Sequence, residues 1–216
     1  MDFSDVRRRM VDNQIRTTDV TDLAILRAFL SVPRERFLSE ERRALAYVDD
    51  DLPIGRGRYL MEPAPLAKLL QLAQIRPSDV VLDVGCATGY SAAILSHLAS
   101  SVVALEEDRE FAAEAARTLS ELELHSCAVV EGPLTEGYAA EAPYDVIVFE
   151  GAVSRVPPVF FDQLKERGRL VAVEGSGLAA MAKLYSKEDG IVSDRFGFNC
   201  ALRPLPGFAE APSFVF

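Results

Sequence analysis

Residues 80–90, Val-Val-Leu-Asp-Val-Gly-Cys-Ala-Thr-Gly-Tyr, restrict what this chain can fold into more than any other stretch. Apolar residues on both sides of a single Asp make a short run suited to a parallel strand buried on both faces. Gly85 and Gly89 then admit the positive φ of a sharp turn and let a ligand lie close to the backbone. The apolar run from Tyr90 to Leu98 reads as the following helix, whose first amides would face that ligand. Glu106 ends the next apolar run, 21 positions after Gly85. That is near the spacing of about 20 at which an acidic side chain takes ribose hydroxyls in such folds. These features imply a nucleoside ligand. A dinucleotide fingerprint needs glycine at 85, 87 and 90, and the chain has Ala87 and Tyr90 there.

The rest of the chain repeats the alternation. Helix is expected over 66–75, 90–98 and 111–122, and buried strands over 80–84, 102–105, 128–130, 146–149 and 170–173. Segments 182–186 and 191–198 flank Lys-Glu-Asp-Gly, whose Asp-Gly suits a hairpin turn. The expected fold is therefore α/β: a Rossmann-like, doubly wound, mostly parallel sheet with an antiparallel edge hairpin. Apolar spacing over 6–49, with a helix start at Thr21-Asp22 and a stop at Pro33, adds a helical N-terminal lobe. A single domain of 216 residues is expected: lobe 1–49, Gly- and Pro-rich substrate loop 50–65, cofactor-binding core 66–175, and edge hairpin with C-terminal tail 176–216. The tail, Pro-rich yet carrying Phe208, Phe214, Val215 and Phe216, is expected to dock on the body or to form a subunit contact.

Composition narrows the function classes. A formal net charge of −10 works against nucleic-acid substrates, which call for a basic face. Three widely spaced cysteines, Cys86, Cys127 and Cys200, suggest neither disulfides nor a metal site and fit a reducing compartment. The first twenty residues are studded with Asp and Arg, unlike a signal peptide, and no apolar run is long enough to span a bilayer. A soluble cytoplasmic protein, monomer or homodimer, is expected. His97 and His125 are read as structural.

The pattern Asp83-x-Gly85-x-Ala87-x-Gly89 resembles motif I of the S-adenosylmethionine-dependent methyltransferases, with alanine at the usual central glycine. Further stretches resemble, in order and spacing, the signatures of the protein-L-isoaspartate O-methyltransferase family: Met10–Ile15, Val32–Phe37, Ala46-Tyr47, Leu52–Gly57 and Ala142–Asp145. The resemblance covers roughly residues 8 to 175. It implies S-adenosylmethionine as cofactor, held by Asp83, Gly85, Cys86, Ala87, Gly89 and Glu106, with Pro133 and Leu134 near the adenine. It also implies methylation of the free α-carboxylate of L-isoaspartyl residues, the first step of protein repair. Three departures stand out. Met61 falls where the family has an acceptor-site serine; Gly132-Pro133-Leu134 replaces a Gly-Asp-Gly; Glu150-Gly151-Ala152 replaces a Thr-Ala-Ala.

A carboxylate acceptor, with an ordinary pKa near 4, is ionised at neutral pH and needs no general base. Catalysis then reduces to orientation in a dry site, and no catalytic residue is assigned. Arg56, Arg58, Tyr59 and Met61 are the acceptor-loop candidates. Either arginine is a bidentate partner for an anionic acceptor or a solvated loop residue; Tyr59 and Met61 either line the pocket or pack the core. Alternatives to isoaspartyl repair are a methyltransferase acting on a small metabolite or another protein site, and a catalytically silent cofactor-binding protein.

Overall fold

The computed structural model describes residues 2–209. Its centre is a seven-stranded sheet in the order β5-β4-β3-β6-β7-β8-β9. The strands are β3 (Val80–Val84), β4 (Ser101–Glu106), β5 (Cys127–Glu131), β6 (Tyr144–Val153), β7 (Leu164–Glu174), β8 (Met181–Glu188) and β9 (Ile191–Asn199). β3 to β7 run parallel, while β8 and β9 close the edge antiparallel around the Asp189-Gly190 turn, both at positive φ. The α/β class and the edge hairpin agree with the sequence expectation. β6 and β7 outrun the expected 146–149 and 170–173 because residues beyond the continuous apolar runs, past irregularities in register, continue the pairing.

The N-terminal segment is helical in short pieces. Helices α1 (Phe3–Met10) and α2 (Leu23–Ser31) are joined by a π turn and a 3₁₀ turn, and 3₁₀ turns at Arg34–Phe37 and Glu40–Leu45 follow. Asp22 caps α2, its carboxylate accepting the N–H of Ala24 at 2.8 Å and of Ile25 at 3.3 Å. Asp19, at φ 65°, ends the preceding helical run. The expected loop 50–65 holds a small hairpin of its own, β1 (Leu52–Gly55) against β2 (Arg58–Leu60), before helix α3 (Pro63–Ala73) begins. Gly55, Arg56 and Gly57 all take positive φ to turn it.

Along the central strands, side chains alternate between two apolar layers. Val81, Val102, Val146 and Val171 face α2, α3, helix α4 (Tyr90–Ser96) and the Ala115 and Leu119 side of helix α5 (Arg109–Glu121). Leu82, Val84, Leu105, Phe149 and Leu170 face the opposite layer. That layer is thin: its helix α6 (Pro158–Asp162) has five residues, and the C-terminal segment completes it. Ala152 donates to Arg203 O at 2.9 Å, and Leu205 donates back to Ala152 O at 2.8 Å. Phe208 stacks edge-on against Phe149 at 5.5 Å, and burying a ring of this size contributes about 1.5–3 kcal/mol. The segment is thus docked through Phe208; Phe214, Val215 and Phe216 lie outside the described residues. No helix among the described residues is long and apolar enough to cross a membrane.

Candidate functional site

Sheet order reverses direction at β3, so the carboxyl ends of β3, β4 and β6 open onto one crevice, the usual place for ligands in such sheets. The turn after β3 is pinned from below. The N–H groups of Gly85 and Cys86 both donate to Leu105 O, at 2.9 and 3.2 Å. Gly85 (φ 83°), Ala87 (φ 49°) and Gly89 (φ 94°) are left-handed, so alanine is forced into a conformation that costs an L-residue roughly 1–2 kcal/mol. The two glycines serve different ends. A Cβ on Gly89 would meet the Cβ of Ala115 at 3.0 Å, which makes it a helix-packing residue, whereas Gly85 faces the crevice.

Glu106, fully buried at the end of β4, has every lone pair engaged. Its Oε1 accepts the N–H groups of Glu107 and Asp108 at 3.0 Å each, and its Oε2 accepts that of Ala87 at 2.7 Å. Both oxygens also accept Arg58 Nη1, at 2.8 and 2.9 Å, while Nη2 of the same guanidinium donates to Gly85 O at 2.7 Å. Arg58 reaches this place from β2 and is itself buried.

Two further carboxyls lie beside the pair. Asp83, fully buried in β3, accepts Ser91 Oγ at 2.7 Å through Oδ2. Its Oδ1 and Glu150 Oε1 find no donor among the described residues, and the two buried carboxyls lie close enough to influence each other's titration. Two carboxyls buried side by side favour holding a proton between them over ionising together. Burial, reinforced by the Glu106 charge and offset by Ser91 and Arg58, lifts the Asp83 carboxyl to about 7. Burial and the Asp83 charge push Glu150 well above the usual carboxylate range. Burial likewise raises the Cys86 thiol.

The residue types here fit a nucleoside cofactor. Glu106 has two oxygens for a pair of hydroxyls, Gly85 offers bare backbone, and Asp83 and Glu150 favour a cationic group. The ground itself is taken by the chain. A Cβ on Gly85 would lie 2.7 Å from Leu205 Cδ2, 3.1 Å from Arg58 Nη2 and 3.6 Å from Leu134 Cδ1; one on Gly151 would lie 2.8 Å from Leu205 Cγ. Leu205 roofs the crevice and Arg58 fills it.

The sequence-selected residues fall into two groups. Asp83, Gly85, Ala87, Glu106, Leu134 and Arg58 converge on the crevice. Cys86 is buried in the turn and Pro133 opens the 3₁₀ turn that carries Leu134. The other acceptor-loop residues point elsewhere. Arg56 lies on the surface with Asp108, at 3.0 Å, and Glu110; Tyr59 stacks under the Arg203 guanidinium at 4.8 Å. Met61 is buried, and its carbonyl accepts Nη2 of Arg34 at 2.7 Å. Sequence reasoning did not assign Glu150 or Leu205 to the site. Glu150 had a signal, since it ends the apolar run next to β3; Leu205, in a Pro-rich tail, had none. Among the described residues no group of His, Cys, Asp and Glu is arranged to hold a metal ion.

Comparison with known proteins finds relatives over most of the chain. Residues 5–206 match the family model described as protein-L-isoaspartate(D-aspartate) O-methyltransferase. The chain is 38% identical over 201 residues to the protein-L-isoaspartate O-methyltransferase of Koribacter versatilis, covering 93% of this chain and 90% of that one. It is 36% identical over 202 residues to the enzyme of that name from Methanoculleus marisnigri, covering 93% and 91%. A solved protein-L-isoaspartate O-methyltransferase superposes with a TM-score of 0.82 at 27% identity; the match covers 93% of this chain and 66% of that one. A Plasmodium falciparum structure in complex with S-adenosyl-L-homocysteine shares the fold, with a TM-score of 0.78 at 17% identity over 92% and 97% of the two chains.

Proposed function

The chain belongs to the protein-L-isoaspartate(D-aspartate) O-methyltransferase family, and on that premise we propose that it methylates the α-carboxylate of L-isoaspartyl residues in damaged proteins. S-adenosylmethionine supplies the methyl group, carried on a sulfonium that a carboxylate oxygen can displace in line. The protein's part is to bind and orient. Glu106 is the acceptor for ribose hydroxyls once Arg58 leaves it, the Gly85 turn presents bare backbone, Asp83 and Glu150 provide buried acceptors for cationic groups, and Leu134 packs apolar surface at the side. No base is required, because the acceptor is already ionised at neutral pH. Three free cysteines suit a reducing compartment such as the cytoplasm.

The observation that carries this reading is the convergence of Asp83, Gly85 and Glu106 at the ends of adjacent strands, where the sheet order reverses. The test is methyl transfer from labelled S-adenosylmethionine to an isoaspartyl peptide beside its aspartyl twin. Base-labile label in the isoaspartyl peptide alone is expected; label in neither would end the repair assignment.

One observation favours a second acceptor class. Met61 is buried and offers no hydroxyl, and its carbonyl is committed to Arg34. A small carboxylate or another protein site, recognised without that hydroxyl, is the competing substrate, and the same assay with small carboxylic acids separates the two.

A further inference from the structure

We propose that Arg58 is a resident stand-in for the cofactor, filling the crevice beneath Leu205 until a cationic nucleoside exchanges with it. The inference rests on the cofactor reading above and deepens it.

Position argues first. The guanidinium lies across Glu106 and Gly85 O, the two features that qualify the site for a ribose. Leu205 lies within contact distance of the ground above Gly85 and Gly151. A ligand cannot share this space with either side chain. Both sit on parts that can move without dismantling the sheet: a hairpin of two short strands, and a segment joined to the end of β6 by three backbone hydrogen bonds, two at Ala152 and one from Ser154 N to Phe208 O.

Charge argues second. Asp83, Glu106 and Glu150 are gathered at the strand ends around one guanidinium, whose charge faces Glu106 directly. When Arg58 withdraws, the acids lose their cation, so the entering ligand is favoured if it brings one. S-adenosylmethionine and S-adenosylhomocysteine both do, through an ammonium group that adenosine lacks, and Arg58 weakens every occupant alike, because each must displace it.

Dispensability argues third. Without Arg58, Glu106 keeps three backbone N–H donors. The arginine is not needed to satisfy the carboxylate.

Direct binding of S-adenosylmethionine, S-adenosylhomocysteine and adenosine is measured by calorimetry on wild type, Arg58→Gln and Leu205→Ala. Arg58→Gln is expected to bind all three tighter, by roughly ten-fold, with S-adenosylmethionine and S-adenosylhomocysteine ahead of adenosine in every variant. Leu205→Ala, which keeps all charges, should tighten binding by roughly three-fold and carries the test should the first variant fold poorly. In wild type, saturating S-adenosylmethionine should speed amide exchange at residues 203–208 as the roof lifts. Cofactor binding of equal strength in all three proteins would overturn the proposal and leave the methyltransferase reading standing. No binding by any of them would overturn both.

Discussion

Two arginines are buried in the same corner of the molecule, and they are held in opposite ways. Arg34 has no carboxylate partner among the described residues. Its Nε donates to Ala46 O and its Nη2 to Met61 O, both at 2.7 Å, its plane lies 4.8 Å from the centre of the Tyr90 ring, and Nη1 finds no acceptor among the described residues. Arg58 is held by a buried carboxylate that has donors of its own. A cation stapled to buried carbonyls at fixed points of the chain is a clamp, since removing it takes a donor from each of them. A cation on an already satisfied carboxylate is an occupant that another donor can replace. Burial alone does not separate the two; the fate of the group left behind does.

The contrast breaks most readily at Arg34. Arg34→Ala would leave two buried carbonyls without a donor and a hole beside Tyr90, and is expected to destabilise the fold by about 3–5 kcal/mol, read from urea unfolding. A loss below about 1 kcal/mol would mean that the clamp is illusory.

Arg58→Gln is expected to cost less than half as much, about 1–2 kcal/mol, because Glu106 retains its amide donors. If it matched Arg34→Ala in the same titration, both arginines would be structural and the distinction would dissolve.

The acids around Arg58 sharpen the comparison through pH. The Asp83 carboxyl, near 4 when unfolded and about 7 in the fold, holds its proton in the native state over a range where the unfolded chain has released it. Its contribution is therefore full below about pH 4 and is lost as pH rises through about 7, and Glu150 acts in the same direction. Glu150→Gln supplies an amide donor to Asp83 and removes the shared proton. The variant should gain on wild type by about 1 kcal/mol between pH 5 and pH 8, a few degrees in melting temperature. A difference independent of pH would rule out the shared proton.

How far the sequence could be read depended on the kind of contact that determines each feature. The strand, turn and helix over 80–96, Glu106, and the edge hairpin are set by local pattern, and the signals sit in consecutive residues. The first hairpin escaped because its strands are four and three residues long and are broken by Pro53, Gly55 and Gly57, so no period-two pattern develops. Arg56 and Arg58 looked equivalent in the sequence. Two residues apart on one hairpin, they point to surface and crevice, a difference fixed by Asp108 and Glu110 on one side and Glu106 on the other. Leu205 is the most remote case. Its position depends on bare backbone at Gly85 and Gly151 and on the Ala152 edge of β6, and none of these is near it in sequence.

The thin second layer has a consequence in time as well as in space. Residues 203–208 both complete the apolar packing on one face of the sheet, through Phe208, and roof the crevice, through Leu205. Admission of a ligand is thereby tied to the unlatching of a piece of the core, which recloses against Phe149 and Phe160. Association gated in this way proceeds at the pace of the latch: its rate levels off as ligand concentration rises and climbs steeply with warming, as local unfolding does. Temperature would then meter how often the enzyme loads.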